Sequence, residues 1–209
     1  QSLFPTLFVQ NKAFFVTYLR QDPFHAFTID DQGVCEEHNE FIVSGWNDFF
    51  RAVSADTRLI GIGRNDENRT SNLAVSLYDI SDVANPEPLI ARAEIALPWP
   101  GSEASWDDRA FSVLEGAVPA QAADGTEETG LVLLPFEGWD QQNEQYLASV
   151  QVFTFSDSTL TLRGVMQHGS PVRRSFPSGA QTTANLSEEA LSLFDSTDPD
   201  APAELGRVD

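Results

Sequence analysis

One lysine, one cysteine and one methionine are all that this 209-residue chain carries of those three residues. Lys12 aside, the basic residues are arginines, 12 basic against 32 acidic side chains, for a formal net charge of −20. Such a surface repels nucleic acid and anionic membranes, both of which recruit basic patches, so no nucleic-acid partner is expected. No apolar run reaches the roughly 18–20 residues of a membrane helix, so no membrane insertion is expected either. Cys35 stands alone, which excludes a disulfide within these residues and leaves a free thiol or a bond to something outside them. Helical periodicity is also missing. The one candidate, Ser187–Leu191, has a capping serine but is too short and falls on a repeated strand, so no helix is expected there. There is no signal sequence and the first residue is Gln1 rather than Met, the pattern of a processed or partial chain.

What is present is a phrase of five residues that returns four times: Phe27-Thr-Ile-Asp-Asp31, Tyr78-Asp-Ile-Ser-Asp82, Phe153-Thr-Phe-Ser-Asp157 and Phe194-Asp-Ser-Thr-Asp198. An aromatic leads and an aspartate closes each copy, at spacings of 51, 75 and 41 residues. Repetition at about 40–50 residues in a strand-forming sequence points to a β-propeller with one phrase per blade. Two copies align without a gap over sixteen residues, 74–89 and 190–205, with seven identities: Ala74/Ala190, Ser76/Ser192, Leu77/Leu193, Asp79/Asp195, Asp82/Asp198, Pro86/Pro202 and Leu89/Leu205. Each copy reads as an alternating strand, an Asp- and Pro-bearing turn and the start of a further strand. Aspartate suits that turn because its carboxylate accepts bonds from backbone N–H groups two residues on.

Runs of β-prone residues punctuated by Gly, Pro, Asn and Asp predict sixteen strands in four groups. These are 3–9, 12–20, 24–30 and 35–44; 48–54, 57–64, 72–80 and 88–97; 105–114, 130–136, 146–156 and 159–167; and 171–177, 180–185, 189–196 and 203–209. The expectation is an all-β chain, one propeller segment over 1–209 with four four-stranded antiparallel blades at 1–45, 46–98, 99–168 and 169–209. Gly116–Thr129, rich in Ala, Gly and Glu, is expected to be a mobile loop, Asn65–Ser71 a polar hairpin tip, and Gly138–Gln145 a second insertion.

Several segments resemble a known family: NKAFFVTYLRQDPF at 12–24, RLIGIGRNDEN at 58–68, LAVSLYDISDVANPEPL at 73–89, DDRAFSV at 107–113 and TLRGVMQHGSPVRRSF at 161–176. They look like the secreted bacterial and archaeal β-propeller proteins distantly related to WD-40 repeats. The resemblance implies a secreted, periplasmic or cell-surface setting and a propeller longer than this chain. It therefore implies an open arc of a larger ring of roughly seven or eight blades, completed by further blades of the same protein or by another chain. No activity and no catalytic residue comes with it.

Chemistry-bearing residues are sparse. The acidic pairs Asp30-Asp31, Asp66-Glu67 and Asp107-Asp108 offer oxygen ligands but no EF-hand loop, and turn aspartates more often cap backbone N–H groups. Asp66 and Glu67 are the candidates for a weak structural Ca²⁺, the one cofactor considered. His25, His38 and His168 share no metal-ligand spacing in sequence. His168 lies near Arg173 and Arg174, and the three together could take an anionic group; pairing of the arginines with acidic neighbours is the commoner arrangement. Trp46, Trp99, Trp106 and Trp139 could stack on sugars or fill the space between blades. No G-x-S-x-G is present, and Gly61-Ile-Gly63 reads as a strand with close backbone approach, not a phosphate loop. A binding or assembly scaffold is therefore expected, with a hydrolase or metal-dependent enzyme built jointly with other blades as the alternative.

Overall fold

The computed structural model describes residues 2–18, 22–43, 45–66, 71–97 and 99–209. Among them the strands are β1 (Ser2–Val9), β2 (Lys12–Tyr18), β3 (Asp22–Ile29), β4 (Cys35–Val43), β5 (Trp46–Val53), β6 (Arg58–Asn65), β7 (Asn72–Asp79), β8 (Leu89–Glu94), β9 (Ser112–Leu114), β10 (Ala120–Gln121), β11 (Glu127–Glu128), β12 (Gly130–Asp140), β13 (Gln145–Phe155), β14 (Leu160–Gln167), β15 (Arg174–Gly179), β16 (Thr182–Leu186), β17 (Leu191–Asp195) and β18 (Ala203–Val208). They form four four-stranded sheets, β1-β2-β3-β4, β5-β6-β7-β8, β14-β13-β12-β9 and β15-β16-β17-β18, and the small hairpin β10-β11. No described sheet borrows a strand from a distant part of the chain. The residues divide into two compact units, Gln1–Arg92 and Ala93–Asp209.

The repeated phrase does the turn chemistry that its aspartates imply. Asp82 Oδ1 accepts from Ala84 N at 2.9 Å, and Asp198 Oδ1 accepts from Asp200 N at 3.0 Å, the same bond at the same repeat position. One step earlier Asp79 accepts from Ser81 N and Asp195 from Thr197 N, both at 2.9 Å. In the other two copies the penultimate residue takes the part. Asp30 accepts from Gln32 N and Val34 N, and Ser156 Oγ accepts from Ser158 N and Thr159 N. Such bonds satisfy backbone donors that the ladder cannot reach.

Glycines let β5 lie close on β6. A Cβ on Gly63 would come 2.0 Å from Trp46 O, and one on Gly61 2.4 Å from Asn47 Oδ1. In the first unit the core gathers Phe14, Ala26, Phe50, Leu59, Tyr78 and Ile80. In the second it gathers Leu131, Leu133, Val150, Val152, Met166, Val172 and Phe194. Each large side chain so buried contributes roughly 1.5–3 kcal/mol.

Three expectations are corrected. The 105–114 strand is only Ser112–Leu114, preceded by a 3₁₀ turn at Glu103–Ser105. Ser102 starts that turn, accepting from Ala104 N while its hydroxyl donates to Pro135 O at 2.5 Å. Gly116–Thr129 is not an unstructured loop: it holds the β10-β11 hairpin and buries Glu128 completely. Gly138–Gln145 is no insertion into the blade but the far end of a long hairpin, in register from Gly130↔Phe155 to Asp140↔Gln145. Asp140 closes it by accepting from Gln142 N and Asn143 N. Ser187–Leu191 forms no helix; Ser187 Oγ accepts from Ala190 N in a tight turn that leads into β17.

Candidate functional site

His168 is 1% exposed, and its Nδ1 lies 2.6 Å from Ser192 Oγ on β17. Its Nε2 is buried without a hydrogen-bond partner. Burial, and next the Arg207 guanidinium, hold the imidazole below its ordinary pKa, so it is neutral at pH 7. Arg173 does not share that environment. Its guanidinium binds Glu103 at 2.5 Å and Glu188 at 2.8 Å, and the hydrogen bonds to those two carboxylates raise its pKa further. Arg173, Ser102, Glu103, Pro135, Glu137 and Val172 line a cleft of about 180 Å³ in which His168 has no part. Arg174 binds Asp107 at 3.2 Å. Asp107 also accepts from Arg109, and this bond leads in holding its carboxyl below the usual range. Both guanidiniums thus have carboxylate partners. Asp66 is exposed, and Glu67 lies outside the described residues. Trp46 is half-buried, with Nε1 donating to Asp48, whereas Trp99, Trp106 and Trp139 are exposed.

The structure brings together a set that spacing in sequence did not reveal. On β3 and β4 the ladder runs His25↔Glu40, Ala26↔Asn39 and then, after a bulge, Phe27↔Glu37. Residues three apart on a regular strand point to opposite faces. The extra residue, His38, restores the match, so Glu37 and Glu40 share one face with His25. His38 itself turns away, its Nε2 2.6 Å from Thr28 Oγ1. His25 Nδ1 stands 2.7 Å from Glu37 Oε1, and one ligand atom from each of His25, Glu37 and Glu40 lies within 4.8 Å of the others. The same face carries an aromatic ladder. Phe8 meets Phe15 edge-on at 6.0 Å between centroids, Phe15 meets Phe27 at 5.3 Å, and Phe27 meets the His25 ring at 6.4 Å. Phe8 is 63% exposed, and Phe15 and Phe27 are half-buried. Phe14 and Ala26, on the opposite face of this sheet, are buried in the core of the first unit.

A second set, also unseen in sequence, is the buried ion pair of the second unit. Arg163 Nη2 binds Glu128 Oε2 at 2.8 Å, with side chains 8% and 0% exposed. Thr154 and Thr161 hydroxyls complete the carboxylate, and Arg163 also donates to Thr154 Oγ1, the Gln121 carbonyl and Asp200. The network fixes the β10-β11 hairpin against β13, β14 and the 198–202 turn. Beside it lies a polar cleft of about 560 Å³ lined by Gln121, Glu127, Arg163, Thr197, Asp198 and Asp200.

The repeat, the four antiparallel sheets and their shared turn define a propeller-type repeat protein. The chain belongs to the Beta propeller domain family, whose profile matches residues 2–189. No curated protein matches it significantly. Among solved structures it is similar to a provisionally named 6-phosphogluconolactonase of Bacteroides uniformis ATCC 8492, at 8% identity and a TM-score of 0.38, over 97% of this chain and 70% of that one. It is also similar to a functionally unknown protein from Desulfotomaculum acetoxidans DSM 771, at 10% identity and a TM-score of 0.36, over 98% and 69% of the two chains. Likeness at this level says nothing about activity.

Proposed function

We propose that the chain is an extracytoplasmic β-propeller scaffold for binding and assembly, and that a further blade, from the same protein or another chain, covers the open face of its first sheet. One observation supports the further blade, and the extracytoplasmic setting follows from the family resemblance alone. The aromatic that leads the repeated phrase is buried in three copies, Tyr78 at 0%, Phe153 at 0% and Phe194 at 3%, yet Phe27 is only half-buried. At equivalent positions of a repeat, the copy without a neighbour is the one left bare. The Phe8–Phe15–Phe27 ladder is the surface so exposed, an apolar patch of the kind that marks an interface. The fourth sheet offers a second such face, where Leu186, Leu191 and Val208 stand abreast on β16, β17 and β18, each at least 39% exposed.

The perturbed carboxyls do not argue for an enzyme. The depressed carboxyls of Asp124, Asp140 and Asp195 owe their shifts first to hydrogen bonds with Thr126, Asn143 and Thr197, which is turn capping, not a shared acid–base pocket. The test is the native and intact mass of the protein together with binding of a hydrophobic dye. An intact mass well above 23.0 kDa, or a 23.0 kDa chain that binds dye or self-associates until its partner is supplied, is expected. A 23.0 kDa monomer that binds no dye would overturn the proposal.

A further inference from the structure

We infer that His25, Glu37 and Glu40 form a site for a divalent transition metal of the Zn²⁺ class on the open face of the first sheet. The ligand atoms are an imidazole nitrogen and two carboxylate oxygens, mutually within 4.8 Å, near enough for an ion to draw them together by small side-chain rotations. The bulge at His38 makes the set, because without it Glu37 would face the other way. Two carboxylates held this close repel each other, and a divalent cation removes that repulsion. The nitrogen ligand and the small number of oxygens select against Ca²⁺ and Mg²⁺, which take six or more oxygens, and favour a borderline cation. Three protein ligands leave a fourth position for water or an incoming group. The His25 imidazole is held by Glu37, its Nδ1 2.7 Å from Glu37 Oε1. Lys12, the chain's lysine, does not compete, since its Nζ donates to the carbonyls of Ile80 and Ser81. All three ligands come from side chains of this one sheet, on the face that the proposed further blade would cover. It is distinct from the weak Ca²⁺ candidate at Asp66 and Glu67.

The test uses tag-free, metal-stripped protein, with Zn²⁺ followed by calorimetry and Co²⁺ by visible absorption. One equivalent of Zn²⁺ is expected to bind, with no heat from Ca²⁺ under the same conditions. Each of His25→Gln, Glu37→Gln and Glu40→Gln should weaken it by about tenfold or more, while His38→Gln, one strand position away on the other face, should leave it unchanged. Glu40 is exposed, so Glu40→Gln is the variant least able to disturb folding, and circular dichroism checks each protein. Unchanged Zn²⁺ affinity in folded Glu40→Gln and His25→Gln proteins, or loss of binding through His38→Gln instead, would overturn the assignment.

Discussion

The two ungapped copies of the repeat, 74–89 and 190–205, make the same turn and then meet different surroundings. The shared aspartates make the same bonds two residues on. Ser76 and Ser192, identical in position, are both buried, yet Ser76 Oγ accepts from Arg92 Nε at 2.9 Å whereas Ser192 Oγ faces His168 Nδ1 at 2.6 Å. The strands diverge further. Six consecutive residues of β7 are buried, but β17 alternates between buried residues and exposed or half-buried ones, and every residue of β18 is exposed. The turn is a local property of the sequence; burial belongs to whatever packs on the sheet. A second difference follows the turn. Asp200 reaches Arg163, while the aligned residue of the first copy is Ala84, which has no such reach.

One of the two largest expected effects lies in that anchor. Glu128→Ala would leave the buried Arg163 with only the exposed Asp200 carboxylate as its ion partner, which should cost about 3 kcal/mol in chemical denaturation. Replacing the pair together by apolar residues should cost much less, because no uncompensated charge remains. If Glu128→Ala were neutral, the hairpin would not depend on the pair. The other lies at the aromatic of the phrase. Phe153→Ala should cost about 3–5 kcal/mol, as large-to-small changes in a filled core do. Phe27→Ala should cost roughly 1 kcal/mol, since its ring is only half-buried and loses less apolar contact. Equal losses at the two positions would mean that Phe27 is already covered, and the contrast between copies would collapse.

The sheets were legible because their signals are local. Period-two alternation, Gly/Pro/Asn/Asp punctuation and the repeated aspartate phrase place strands within a few residues of those observed, and the turn bonds are the ones that the aspartates imply. Where local signals conflicted, the reading failed. In 105–114, Ser102 and Asp107 cap backbone N–H groups and take most of the segment out of the sheet. In 116–129 the composition suggested disorder, but Glu128 finds a buried arginine 35 residues on, a contact that no window on the sequence contains. The metal-ligating set was hidden for a related reason. His25 and Glu37 are twelve residues apart and meet only through strand pairing, and the bulge that aligns Glu37 with Glu40 has no residue signature of its own.

Smaller effects refine the contrast at the paired serines. His168 is neutral and buried, so its folded pKa lies below the unfolded value of about 6.5. Below that pH the unfolded chain binds the extra proton first. Stability should be flat above about pH 6.5 and fall as pH drops beneath it, by at most about 1.4 kcal/mol per pH unit from this group until the folded pKa is passed. His168→Gln should remove that part of the slope, read from denaturation midpoints at pH 5 to 8, while changes at Arg92, which meets the equivalent Ser76, should leave it in place. A slope unchanged in folded His168→Gln would assign the acid sensitivity to other groups.

The turn itself gives the smallest effect and the closest match. Asp82 and Asp198 each accept one backbone N–H at nearly the same distance in exposed turns. Asp82→Ala and Asp198→Ala should each cost about 0.5–1.5 kcal/mol, the net worth of one such bond. Because Asp200 N is the donor to Asp198 and the Asp200 carboxylate holds Arg163, the second variant can also loosen the anchor. The excess of Asp198→Ala over Asp82→Ala therefore measures coupling between turn and ion pair. That excess should vanish in an Asp200→Ala background, and its survival there would show that the turn and the anchor act independently.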